Sequence, residues 1–164
     1  MLKQHTSFWE NNGRKQKAEI AGLTQLEVSV IASIVEEESA KEDERPRIAG
    51  LYLNRIKKGM KLQADPTIKF ALKRFDLRRI LYRHLDAAAD SPYSTYANKG
   101  LPPGPICTPS ISSLDAVLNA EKHDYIFMCA KADFSGYHAF AKTHTQHERN
   151  RALYTAALDK RNIK

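Results

Sequence analysis

Cysteine, long apolar runs and glycine are all scarce in this 164-residue chain. Its two cysteines, Cys107 and Cys129, are too few for a disulfide framework and lack the paired C-x-x-C spacing of a zinc site. No stretch approaches the roughly 18 consecutive apolar residues of a membrane span. The start, Met1-Leu2-Lys3-Gln4-His5, has no apolar core of the kind a signal peptide carries. Seven glycines, no internal repeat and no low-complexity tract argue against a fibrous or disordered chain. Histidine is sparse too, and although His138, His144 and His147 lie close together, no H-E-x-x-H arrangement accompanies them. A substrate-contacting or structural role fits these histidines better than a metal site, so no metal and no cofactor are expected.

Acid is also in short supply. With 26 basic and 19 acidic residues the net charge is +7, which suits an anionic partner such as nucleic acid, lipid head groups or an acidic polymer without choosing among them. Lys57, Lys58 and Lys61 form one basic group. Lys69, Lys73, Arg74, Arg78 and Arg79 form another, with Phe70 and Phe75 interleaved. Solvated helix faces account for both, and no nucleic-acid-binding motif goes with them. Nucleic acid is therefore not expected as a partner.

What is present is enough for one domain with a sizeable core: 42% of residues are apolar and 27% charged. Thr24-Gln25-Leu26-Glu27 reads as a capping box opening a helix, and Ile31, Ile34 and Val35 follow at i, i+3, i+4 spacing. The next position on that stripe is Glu38. At about 100° per residue, Glu36 and Glu37 point away while Glu38 falls between Ile31 and Val35. A carboxyl drawn into apolar surroundings resists ionising and can hold a proton near neutral pH, as a general acid must. The competing reading is that Glu36 to Glu38, with Glu42, Asp43 and Glu44, is the solvated face of a helix whose apolar side ends near Glu38.

Around this helix, expected over residues 24–43, the remaining elements read as follows. The first twenty residues are polar, carry the one tryptophan, and are set aside as a trimmed boundary segment before a domain over residues 21–164. A second helix begins near Pro46, with Ile48, Leu51, Tyr52 and Arg55 on one face and Gly59 as its stop. A third is expected over residues 67–75, after the turn at Asp65-Pro66. Residues 90–109 are proline-rich and form an ordered loop, the kind that often carries function. Ser112 or Ser113 can cap a helix bearing Leu114, Val117 and Leu118 and ending near Lys122. Residues 125–130 read as a buried strand and residues 137–140 as its hairpin partner, before a polar terminal helix from Thr143. The class is α+β, helix-rich with a small antiparallel sheet or hairpin.

In this order the segments resemble one family, the YceG-like endolytic murein transglycosylases. The resemblance runs from about residue 20 to residue 155. It is carried by Ala32-Ser33-Ile34-Val35-Glu36-Glu37-Glu38-Ser39, Leu62-Gln63-Ala64-Asp65-Pro66-Thr67-Ile68, Tyr93-Ser94-Thr95-Tyr96 and Gly100-Leu101-Pro102-Pro103-Gly104-Pro105-Ile106, with Tyr125-Ile126-Phe127 and Gly136-Tyr137-His138-Ala139-Phe140 extending it. The chain departs from the family pattern at Ser94, where Asn is usual, at Ser110, where Gly is usual, and at Gln146-His147-Glu148, where E-H-N is usual.

The resemblance implies a lysozyme-like catalytic domain that cuts the β-1,4 bond between N-acetylmuramic acid and N-acetylglucosamine in peptidoglycan, leaving 1,6-anhydro ends. It places the catalytic acid at Glu38, the second glutamate of an E-x-E-[ST] motif, and gives Glu36 a supporting or surface role. It implies substrate contacts at Gln63, Asp65, Thr67, Tyr93, Tyr96, His138, Phe140 and His147. It also implies peptidoglycan strands and cell-wall synthesis machinery as partners. The location it implies is the outer face of the bacterial cytoplasmic membrane, reached through an N-terminal anchor that this chain lacks.

Two alternatives remain open on the residues themselves. A hydrolase needs a second carboxylate, and Asp65 is the acid available for it, although a turn residue before Pro66 explains Asp65 as well. A basic module binding an anionic polymer without chemistry would show steep salt dependence and indifference to Glu38.

Overall fold

A computed structural model describes residues 2–161. Eight helices and a two-stranded antiparallel sheet make up these residues, an α+β fold. The element order is α1 (Leu2–Glu10), α2 (Arg14–Ala21), α3 (Gln25–Glu38), α4 (Arg45–Lys57), α5 (Asp65–Leu72), α6 (Tyr82–Ala87), α7 (Ile111–Leu118), β1 (Phe127–Ala130), β2 (His138–Ala141) and α8 (His144–Lys160).

Helix α3 is the centre of the core. Its capping box forms as the sequence predicts: the Thr24 hydroxyl accepts from the Glu27 N–H and the Glu27 carboxylate accepts from the Thr24 N–H. Val28, Ile31, Ala32, Ile34 and Val35 are wholly buried, so nearly every side of the helix is covered. Helices α4 and α7 pack on it and bring Ile48, Leu51, Tyr52 and Val117 to the same cluster.

Helix α3 ends five residues before the expected Asp43. Ser39 is extended (φ −144°, ψ 129°), because the returning chain captures it on both sides. The Ser39 hydroxyl donates to Glu44 Oε2 at 3.2 Å, and Arg45 Nε donates to the Ser39 carbonyl at 3.0 Å. Glu42 is therefore off the stripe, and Glu38 is the last residue of the helix.

Other boundaries shift for similar local reasons. Helix α5 begins at Asp65, with Pro66 in its first turn, and closes at Lys73, which takes a left-handed conformation (φ 52°). Helix α7 is capped by Ser110 rather than Ser112 or Ser113 and stops at Leu118, and the Glu121 N–H then bonds the Pro46 carbonyl. The strand starts at Phe127 rather than 125, because the Tyr125 and Ile126 carbonyls are taken by Asn54 and Arg55 of α4. Phe127 pairs with Ala141 and Ala130 with His138. Residues in the segment set aside as a boundary form α1 and α2; α2 is joined to α7 by the two-pronged Arg14–Asp115 pair (2.8 and 3.0 Å), α1 packs on α2, and Trp9 and Ala18 are buried in the core. The short helix α6 had no clear signal in the sequence.

Gly50 sets how closely the stretch after α7 lies on α4. A Cβ there would stand 2.3 Å from the Glu121 carbonyl oxygen and 2.8 Å from His123 Nε2. Helix propensity alone favours alanine over glycine by about 1 kcal/mol. Here the backbone clash outweighs it, and Gly50→Ala is expected to destabilise the protein by about 2 kcal/mol or more, measured by chemical denaturation.

Candidate active site

Three consecutive glutamates at the end of α3 meet three different environments. Glu37 is exposed. Glu36 is a structural anchor: Oε2 accepts from the Ser110 N–H (3.1 Å), the Ser110 hydroxyl (2.6 Å) and the Ser113 hydroxyl (2.6 Å), while Arg45 reaches Oε1 at 3.3 Å. Burial opposes its ionisation, but these donors outweigh that and hold its pKa below the usual carboxylate range. Glu36 thus locks the start of α7 to α3, and Ser110, one of the departures from the family pattern, supplies two of its bonds.

Glu38 receives no such donors. The one hydrogen bond to its carboxyl among the described residues is from the hydroxyl of Tyr52 to Oε1, at 2.5 Å. Tyr52 is 2% exposed, so it is a fixed and dry partner. Burial pushes the Glu38 pKa up to about 7. The Tyr52 bond works against the rise, Asp65 adds to it, and His138 and Lys69 again oppose it. Its place on the last turn of α3, where the helix carbonyls present their negative end and the turn itself carries no basic residue, also disfavours a carboxylate.

Asp65 stands at the start of α5 and faces the same space. Tyr96 donates to Asp65 Oδ1 at 2.6 Å. Burial raises the Asp65 pKa, opposed by Tyr96 and Lys69. Two carboxyl groups whose charges interact do not ionise independently. Burial holds both carboxyls above their usual range, Glu38 to about 7, and the charge of Asp65 adds to the rise at Glu38.

His138 closes the site from β2. Its backbone N–H and Nδ1 both bond Glu44, at 2.7 and 2.8 Å. Glu44 is 5% exposed, whereas the sequence places it in a solvated acidic run. Burial alone would lower the His138 pKa, but the bonds to Glu44 and the field of Glu38 raise it. Arg55 braces the floor with bonds to the carbonyls of Ile126 (2.6 Å), Lys61 (2.8 Å) and Leu62 (3.2 Å) and to Gln63 Oε1 (3.3 Å).

The expected site residues therefore divide. Glu38, Asp65, Tyr96 and His138 are brought together electrostatically or by hydrogen bonds. Gln63 is exposed beside them, in a left-handed conformation (φ 53°), held by Arg55 and by its N–H to the Thr95 carbonyl. Thr67 is a correction: it is wholly buried, and its hydroxyl bonds the Ala64 carbonyl (2.7 Å) and Thr95 (2.8 Å), so it fixes the Tyr93–Tyr96 loop rather than pointing at a sugar. Tyr93 packs its ring on Phe70, with centroids 4.7 Å apart. Phe140 packs on Tyr125 at 5.6 Å and lies 6.4 Å from His138. His147 stacks on Phe127 at 5.0 Å, with its Nδ1 buried and without a hydrogen-bond partner among the described residues.

Sequence reasoning missed Tyr52, Arg55, Lys69 and Glu44. The signal for the first two was available: Tyr52 and Arg55 are polar-tipped residues on the otherwise apolar face of α4. No grouping of histidine, cysteine and acidic side chains fit to hold a metal occurs among the described residues.

With this geometry in place, the comparisons with known proteins decide the family. The model of the YceG-like family matches residues 1–153. The chain belongs to the YceG-like family. It is 36% identical over 161 residues to an endolytic murein transglycosylase of Bacillus subtilis, covering 98% of this chain and 43% of that protein. It is 36% identical over 130 residues to an endolytic murein transglycosylase of Streptococcus pneumoniae, covering 78% of this chain and 23% of that protein. A crystal structure of a YceG-like protein from Listeria monocytogenes superimposes with a TM-score of 0.74 at 36% identity, over 82% of this chain and 43% of the other. The chain thus spans less than half the length of the relatives it matches.

Two measurements test the electrostatics without any substrate. Tyr52→Phe removes a bond that favours the charged form, so the Glu38 carboxyl, followed by carbon NMR, should titrate above its wild-type value; Asp65→Asn removes a neighbouring negative charge and should move it down. Stability carries the second signature. The folded-state pKa of about 7 lies above the ordinary 4.5, so the folded protein holds the Glu38 proton more tightly than the unfolded chain does. Stability is then greatest below the lower value, falls as pH rises between the two, and stays reduced above the higher. Glu38→Gln should stabilise the protein at pH above about 7 by on the order of 1–3 kcal/mol after solvent screening, and the gain should vanish under acidic conditions, as read from denaturation midpoints across pH.

Proposed function

We propose that this chain is the catalytic domain of an endolytic peptidoglycan lytic transglycosylase, cutting the β-1,4 bond between N-acetylmuramic acid and N-acetylglucosamine. The observation that carries the reading is the Glu38 carboxyl, raised to about 7 and bonded by Tyr52, in a member of a family whose relatives are named endolytic murein transglycosylases.

Protonated Glu38 gives its proton to the glycosidic oxygen, which leaves as the 4-hydroxyl of N-acetylglucosamine. The muramyl C1 takes on oxocarbenium character, and ionised Asp65 stabilises that positive charge through space. The Glu38 carboxylate then removes the proton from the muramyl 6-hydroxyl, and that oxygen bonds C1 to close a 1,6-anhydro ring. Glu38 ends protonated, no water is consumed, and one residue serves as acid and then base. Gln63, exposed at the rim, and the faces of Tyr96 and His138 are placed to contact the sugars.

A hydrolase is the second reading, and Asp65 is what favours it: a charged carboxylate beside a protonated one is the pairing that retaining glycosidases use. The relatives' names weigh against it. For the complete protein, activity at the outer face of the cytoplasmic membrane alongside cell-wall synthesis is part of the same proposal. No single helix among the described residues is long and apolar enough to cross a membrane.

Mass spectrometry of the products from purified peptidoglycan strands tests the reading. Muramyl ends lighter by one water are expected; ordinary reducing ends would mean a hydrolase. Glu38→Gln should lower turnover by at least about a thousandfold, and Asp65→Asn by less, on the order of ten- to a hundredfold. Because the acid must be protonated, turnover should fall as pH rises through about 7.

A further inference from the structure

Helix α5 carries Asp65 at its start and leads, at its other end, into the irregular stretch from Lys73 to Leu81 that precedes α6. The stretch is polar in composition, yet it exposes large apolar side chains: Phe75 is 67% exposed, Leu81 38% and Tyr82, the first residue of α6, 86%. The same residues are interleaved with cations. Between Lys73 and His84 stand Lys73, Arg74, Arg78, Arg79 and Arg83, against one acid, Asp76. Arg74 spends its charge on Asp76, through two bonds of 2.8 Å. No ion pair among the described residues engages Lys73, Arg78, Arg79 or Arg83.

An exposed phenylalanine, leucine and tyrosine close together in the chain are costly in water, and the tyrosine has a polar tip suited to an interface. Burying four cations that lack ion pairs against an apolar protein partner would cost their hydration, whereas a negatively charged lipid surface complements them. Shallow apolar insertion with flanking lysine and arginine is the chemistry of interfacial membrane binding. Helices α5 and α6 pack together and hold both ends of the stretch, so it is presented as one body with the site.

We infer that residues 73–83 form a surface that docks on anionic lipid, with Phe75, Leu81 and Tyr82 entering the head-group region and Arg78, Arg79 and Arg83 contacting phosphates. This rests on the chain's own loop and adds a membrane contact separate from any N-terminal anchor. Joined to the proposed function, it sets the cleft at a fixed height: Asp65 lies about 10 Å along α5 from the docking stretch, so glycan would be cut close to the membrane surface.

Co-sedimentation of this chain with vesicles of phosphatidylcholine, with and without phosphatidylglycerol, tests the inference and needs no catalysis. Binding is expected only with phosphatidylglycerol, weakened about tenfold or more by Phe75→Ser with Tyr82→Ser, and similarly by Arg78→Glu with Arg79→Glu. Both pairs are exposed, so thermal unfolding and the cutting of soluble strands should match wild type. No binding to phosphatidylglycerol vesicles would overturn the inference. Binding that is insensitive to the Phe75 and Tyr82 substitutions would also overturn it, since a basic surface alone would then be responsible. Product analysis stands apart from this outcome: a hydrolase or an inactive chain could dock, and a transglycosylase could fail to.

Discussion

The burial of α3 is the constraint on which the rest of the molecule depends. Its apolar residues are covered on almost every side, so the helix cannot rotate or slide without exposing several of them. Its last turn is therefore held firmly, and two glutamates two residues apart are fixed in opposite chemical states. Glu36 is given four donors and stays ionised. Glu38 is given one neutral hydroxyl and stays protonated to near neutrality. The difference comes from what each meets across the helix: the start of α7 for Glu36, the buried face of α4 for Glu38.

Around this axis the site is assembled from elements distant in sequence, each fastened through its backbone. Arg55 holds the turn before α5 and the start of the hairpin by their carbonyls. Thr67 and Thr95 tie α5 to the proline-rich loop that delivers Tyr96 to Asp65. Glu44, just past the end of α3, fixes the ring of His138 on β2. A site whose side chains are braced in this way is pre-organised for electrostatic work, with little rearrangement left for the moment of reaction.

The inward turn of Glu38 was legible because helical periodicity is strict and an acid on an apolar stripe is conspicuous. The hairpin, the capping box and the terminal helix were legible for the same kind of reason: each rests on local pattern. What the sequence hid was decided by partners far along the chain. Glu44 reads as one of several surface acids, and only the return of β2 buries it against His138. Thr67 looks like a free hydroxyl until Thr95 arrives to bond it. Helix α3 stops at Glu38 because Glu44 and Arg45 turn back to seize Ser39, which no local propensity announces. Helices α1 and α2 escaped notice because their few buried residues have meaning only against distant elements: Arg14 against Asp115 of α7, Trp9 and Ala18 in the common core.

Glu36 is bonded by Arg45 and Glu44 by His138, whereas Glu38 bonds no cation among the described residues and feels His138 and Lys69 only through space. Its closest partner is an uncharged hydroxyl. A proton leaving Glu38 for solvent would thus create an unmatched charge in a poorly hydrated space. In the proposed reaction, a proton passed to a sugar oxygen as C1 becomes positive would create a matched pair instead. On that proposal the cavity favours the transfer that keeps it electrically even, and the substrate supplies the positive charge that no bonded cation does.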